Sequence, residues 1–142
     1  MTIVEFKTNI KDKVYYVCRW LRNALGQSSD TRFVVVTEDA RQLALLDTAL
    51  WTFSELDFLP HAVLGSSLAA HSKIVLTDNP DAELPVSQVL VNLSKEVPGQ
   101  FARFDRLIEL VAADENEKVA GRNRYVHYRD RGYTLLHEKV NP

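Results

Sequence analysis

The sequence predicts an α/β fold built on a mainly parallel sheet with helices on both faces. Three observations lead there. Arg32 to Thr37 carries Val34, Val35 and Val36 in succession, the unbroken apolar run of a strand buried on both sides. The segments on either side of it space their apolar residues by three and four, the period of an amphipathic helix. These are Val14, Val17, Cys18, Leu21 and Leu25 in one, and Leu43, Leu46 and Leu50 in the other. Strand and helix signals also alternate at short intervals, which favours parallel strands joined by crossover helices.

Taken in order, Ile3 to Thr8 reads as a short first strand. A helix follows from Asp12 to Gln27, ended by Gly26 and the cluster Ser28-Ser29-Asp30. After the valine strand, Glu38 and Asp39 sit where a helix N-terminus favours negative charge, and the second helix runs from about Asp39 to Thr52. Beyond it Trp51, Phe53, Phe58 and Leu59 crowd the approach to Pro60, more large apolar side chain than a connection needs. Either the core or a partner claims them. Lys73 to Thr77 and Gln88 to Leu93 read as strands, separated by the breakers Asp78-Asn79-Pro80-Asp81 and Pro85. Val97-Pro98-Gly99 makes a turn before an expected helix of Phe101, Phe104, Leu107, Ile108 and Val111. A basic helical segment and a last strand near Tyr133 to Val140 complete the order β-α-β-α-β-β-α-α-β.

A chain of 142 residues without a linker, repeat or low-complexity stretch is expected to form one domain, residues 1–142. The formal net charge of −2 gives no global basic field to draw the chain to nucleic acid. No run of eighteen apolar residues and no signal peptide occurs, since Met1 to Lys13 is polar and mixed in charge. The single cysteine, Cys18, precludes an internal disulfide and fits a reducing compartment. A cytoplasmic protein with no membrane partner is expected.

A parallel α/β sheet invites a nucleotide, and the strand-to-helix turns bear on that directly. The first reads Asn9-Ile10-Lys11-Asp12-Lys13 and the second Glu38-Asp39-Ala40-Arg41. Neither has the glycines that let backbone approach a pyrophosphate, the acidic pair would repel one, and no phosphate-binding loop motif occurs elsewhere. His61, His71, His127 and His137 lie at no metal-ligand spacing with each other or with Cys18. Cys18 falls in the apolar stripe of the first helix and reads as a packed thiol. No catalytic residue, metal or cofactor is therefore expected, and the chain is not read as an enzyme. Asp105, Glu109, Asp114, Glu115 and Glu117 read as a solvated helix face. Asp47, one turn before Trp51, is either a surface charge or an anchor for the basic segment. His61 is expected to order its loop through a hydrogen bond.

The basic segment Glu117 to Arg131 carries five cationic side chains. On a helix, Lys118, Arg122, Tyr125 and Arg129 fall within roughly 60° of one another. One aromatic among three cations suits an apolar group bearing a carboxylate. Gly121 lies beside this face and would open a shallow pocket, while the core stripe is less clean, with Val119 and Val126 but also Asn123 and Asp130 nearby. On residues alone, a solvated basic face remains the stronger reading.

Leu46-Asp47-Thr48-Ala49-Leu50-Trp51 followed by Phe58-Leu59-Pro60-His61 resembles the chi subunit of bacterial DNA polymerase III holoenzyme. Phe104 to Tyr133, with Arg122-Asn123-Arg124-Tyr125 and then Gly132-Tyr133, is similar to that family's C-terminal region in the same register. The resemblance implies a Rossmann-like α/β domain and a non-catalytic, clamp-loader-associated role in DNA replication. It also implies that Lys118, Arg122 and Tyr125 receive the acidic C-terminal tail of single-stranded-DNA-binding protein, with Val111 and Trp51 linked to that surface; Arg129 joins them by helical spacing. Phe58 matches the position that contacts the psi subunit, although the chain departs from the family at Asp57 and in the loop from Gly65 to Ser72. DNA would be reached mainly indirectly. The alternative is a direct single-stranded nucleic-acid-binding module using the basic helix, opposed by the net charge and by the lack of an aromatic strand platform.

Overall fold

The computed structural model describes residues 1–27, 30–52, 61–66, 69, 72–82, 84 and 87–141. Among the described residues seven strands, β1 (Ile3–Ile10), β2 (Phe33–Val36), β3 (Ala62–Val63), β4 (Ile74–Thr77), β5 (Val89–Asn92), β6 (Arg106–Ala112) and β7 (Thr134–Lys139), form one sheet. Its order is β3-β4-β2-β5-β6-β1-β7, and every described pairing is parallel. Three helices, α1 (Lys13–Gln27), α2 (Ala40–Thr52) and α3 (Glu115–Asp130), cover it. The architecture is Rossmann-like, as expected, and β3 is an edge strand that the sequence reading did not resolve.

Side-chain alternation along the strands divides the core in two. Val17, Cys18 and Leu21 of α1 and Leu46 and Leu50 of α2 pack on Phe33, Val35 and Ile108 at one face. On the other face, Tyr128 of α3 joins Val34, Val36, Phe6, Leu107 and Val111. The valine run is thus buried from both sides. Cys18 is fully buried, and desolvation pushes its thiol up to about 11, so it is packed and not poised as a nucleophile.

Each of α1, α2 and α3 begins on an aspartate. Asp12 Oδ1 accepts from Tyr15 N at 3.1 Å, Asp39 Oδ1 from Gln42 N at 2.8 Å, and Asp114 Oδ1 from Glu117 N at 3.0 Å. Each bond satisfies a backbone donor that the first turn cannot pair. Gln42 Oε1 also reaches back to accept from Glu38 N at 2.8 Å. Asp39 is therefore the cap of α2 and not its first helical residue.

Two expectations fail here. The segment expected as a helix of Phe101, Phe104, Leu107, Ile108 and Val111 is a 3-10 turn at Phe101–Arg103 followed by the strand β6. Five successive residues of β6 are buried, because it lies between β5 and β1 with both faces covered. A central strand has no two-residue alternation to read, and its spacing then mimics a helix. The carboxylates do not form one solvated face either. Asp105, Asp114 and Glu115 are exposed, but Glu109 is fully buried on β6 and Glu117 is buried on α3.

Candidate functional site: a pocket between α3 and the β1–β7 edge

The inward face of α3 is not Val119 and Val126, which are 49% and 39% exposed. It is Glu117, Gly121, Arg124 and Tyr128, a stripe of polar and small residues at helical spacing. This stripe is held from below by Glu109. Glu109 Oε1 accepts from Arg124 Nε at 3.0 Å and from Asn92 Nδ2 at 2.9 Å, and Glu109 Oε2 accepts from the Tyr128 hydroxyl. Arg124 Nη1 donates onward to Lys95 O at 3.0 Å. Burial pushes the Glu109 carboxyl above its ordinary range, with Arg124 and the surrounding donors pulling the other way. Burial and the adjacent Glu109 raise the Tyr128 phenol far above its usual value, so it stays a proton donor.

The N-terminal turn of α3 has a second anchor. Glu117 Oε1 accepts from Ala112 N at 3.1 Å and from the Lys13 ammonium at 2.7 Å, with both side chains under a tenth exposed. Lys13 also donates to Leu93 O. α3 is thereby fixed to β5, β6 and the start of α1 by charged groups, and its polar sequence is explained by what it covers.

Fixed in this way, α3 leaves a cavity of about 380 Å³ beside the last two strands of the sheet. Lys118, Gly121, Arg122 and Tyr125 line it from α3, Val111 from β6, Phe6, Thr8 and Asn9 from β1, and His137 and Lys139 from β7. Tyr125 packs its edge on Phe6 with ring centroids 5.3 Å apart, which makes an apolar wall. Asn9 takes a left-handed backbone, φ 63°, and its Nδ2 donates to Val140 O at 3.1 Å, tying the end of β1 to the end of β7. Lys118 has Glu115 at 3.8 Å on the exposed side, and Arg122 has no carboxylate partner among the described residues. The result is an apolar floor rimmed by ammonium and guanidinium groups, suited to an apolar side chain that carries a carboxylate.

Gly121 makes the floor possible. A Cβ there would meet the two methyl groups of Val111 at 2.9 and 3.0 Å. Valine is stiff at χ1, so the strain would push α3 off β6. Gly121→Ala is expected to cost roughly 1–3 kcal/mol and to distort the cavity. Urea titration checks this, and wild-type stability in the variant would mean that the contact is loose.

Four of the six positions expected at this site from sequence come together here: Val111, Lys118, Arg122 and Tyr125. Arg129 does not line the cavity; it lies on the exposed surface with Asp130 at 3.3 Å. Trp51 does not line it either. It ends α2, the helix that packs on β4 towards the other edge of the sheet, and its ring lies 4.6 Å from that of His61. His61 Nε2 is 2.7 Å from Asp47 Oδ1, so Asp47 holds His61 at the start of β3 and does not anchor the basic helix. Phe58 lies outside the described residues. Sequence reasoning missed Phe6, Thr8, Asn9, His137 and Lys139. His137 and Lys139 alternate on one face of β7, but a lone two-residue spacing on an exposed edge gives no sign of its neighbour.

At the carboxyl ends of β2, β4 and β5, where Rossmann-like sheets seat phosphates, a second cavity carries Glu38, Asp78, Asp81 and Glu96 against Lys95 alone. Lys95 is itself 3.5 Å from Glu38. That charge opposes a polyphosphate.

The sequence profile of the family described as DNA polymerase III chi subunit, HolC, matches residues 1–136. The chain belongs to the DNA polymerase III chi-subunit family. It is 32% identical over 102 residues to the DNA polymerase III subunit chi of Pseudomonas aeruginosa, covering 72% of this chain and 70% of the relative. Chi subunits of Haemophilus influenzae and Escherichia coli are 27% and 24% identical, over 79% and 75% of this chain and 78% and 73% of theirs. Membership gives this chi-family chain an accessory role in replication and not an enzymatic one. Among solved structures, Mss116p DEAD-box helicase domain 2 bound to an RNA duplex superposes with a TM-score of 0.65 at 12% identity. It covers 99% of this chain, which spans 64% of that one, and shares the fold alone. No described helix is long and apolar enough to cross a membrane.

Proposed function

We propose that this chi-family chain acts as a single domain in the cytoplasm, as a non-catalytic subunit associated with the clamp loader. In this reading the pocket between α3 and β7 receives the acidic C-terminal tail of single-stranded-DNA-binding protein, so that DNA is reached mainly through that protein. The observation that carries the reading is the convergence of Lys118, Arg122, Tyr125 and Val111 on one cavity. An aromatic side chain with a free carboxylate places its ring on Phe6, Tyr125 and Val111 and its charge on Arg122 or Lys118. Acidic residues before it meet the cationic rim. The psi contact rests on the family register of Phe58 alone. Its own test is Phe58→Ala, which should weaken psi binding with little change in melting temperature.

Calorimetry with an acidic peptide ending in phenylalanine tests the tail reading. Affinity near the micromolar range is expected, about −8 kcal/mol, falling as salt screens the exposed charges. Arg122→Ala removes a charge-assisted contact and should cost about 1.5–3 kcal/mol of binding without unfolding the chain. Removing the terminal phenylalanine should nearly abolish binding. Unchanged affinity in both arms would reduce the basic face to solvated surface.

A further inference from the structure

We infer that occupancy of this pocket is linked to protonation of His137, which makes β7 a second, pH-dependent wall for the ligand carboxylate. The inference rests on the tail-receptor reading and adds a residue and a regulation to it. His137 lines the cavity from the strand opposite α3. Its Nε2 lies 2.8 Å from Thr8 Oγ1 on the neighbouring strand, which holds the ring in place at the mouth. Imidazole is the side chain whose ordinary titration falls between pH 5 and 8. Protonation makes both ring nitrogens donors and adds a full positive charge to the rim.

The other charged groups facing the cavity are Lys118 and Arg122 from α3 and Lys139 from β7. β1 and β6 contribute the uncharged Phe6, Thr8, Asn9 and Val111. Among the described residues, Glu115 approaches Lys118 alone, on the exposed side. Glu138 points to the opposite face of β7, where it pairs with Lys7 at 3.0 Å. No described acidic residue lines the pocket to claim the imidazolium, so an incoming carboxylate is its counter-ion. A ligand that binds the protonated ring more tightly must, by linkage, draw a proton onto it.

The experiment titrates the protein with a peptide of aspartates ending in a free phenylalanine, at pH 8 and at pH 6, in wild type and His137→Gln. Wild type is expected to bind about two- to fivefold more tightly at pH 6, the range of an exposed charge pair. The proton uptake should be visible as a buffer-dependent heat. His137→Gln should lose the pH dependence, which also separates His137 from His61 and His127. Equal affinity at both pH values, or a slope that survives in His137→Gln, overturns the inference and leaves the tail-receptor reading in place. No binding at either pH overturns both.

Discussion

Glu109→Ala is expected to cost about 3–5 kcal/mol of stability, a large part of what holds a domain of this size together. Glu109 is fully buried and accepts three hydrogen bonds, from Arg124, Asn92 and Tyr128. Removing it leaves the Arg124 guanidinium charged, 2% exposed and held by Lys95 O alone, while Arg124 Nη2 already lacks a protein partner among the described residues. The Tyr128 hydroxyl also loses its acceptor. A guanidinium does not shed its proton to escape, so the penalty falls on the fold. Glu109→Ala/Arg124→Met removes both charges and should recover part of the loss. Equilibrium unfolding in urea measures it. A loss below about 1 kcal/mol in the single variant would mean that the cluster is solvated and does not hold α3 in place.

The same cluster marks where the sequence was legible and where it was not. α1, α2 and the valine strand could be read because an apolar stripe or run reports burial directly. β6 and the inward face of α3 could not, because Glu109 is buried in a central strand and Arg124 and Tyr128 are buried in a helix. Each looks solvent-facing until its partner is known, and the partners lie fifteen and nineteen residues apart on different elements. Half of the pocket was legible for a related reason. Lys118, Arg122 and Tyr125 share one helix, so spacing alone groups them. Phe6 and His137 meet them only through the β1–β7 pairing, where Phe6 lies opposite His137 across two adjacent strands. Trp51 was drawn to the site by motif register, whereas the packing of α2 on β4 puts it near the other edge.

Glu117→Ala should destabilise the chain by a similar amount, roughly 3–5 kcal/mol, and should also weaken the pocket. Its carboxylate is the acceptor for both the Lys13 ammonium and Ala112 N, and it sits one turn before Gly121 on the buried stripe of α3. Without it, Lys13 keeps only Leu93 O among the described residues, and a side chain 9% exposed carries an unpaired charge. The Asp114 cap survives, since it bonds the backbone of residue 117 and not its side chain, so α3 should remain helical while its first turn lifts from β6. That lift carries Lys118 and Arg122 away from Val111. Two readouts therefore separate two effects. Lys13→Met/Glu117→Gln should recover stability, because no buried charge is left unpaired. It should recover peptide affinity only in so far as the introduced amide still accepts from Ala112 N and holds the turn down. Lys13→Met/Glu117→Ala no more stable than Glu117→Ala would show that the loss comes from the backbone contact and not from the stranded lysine.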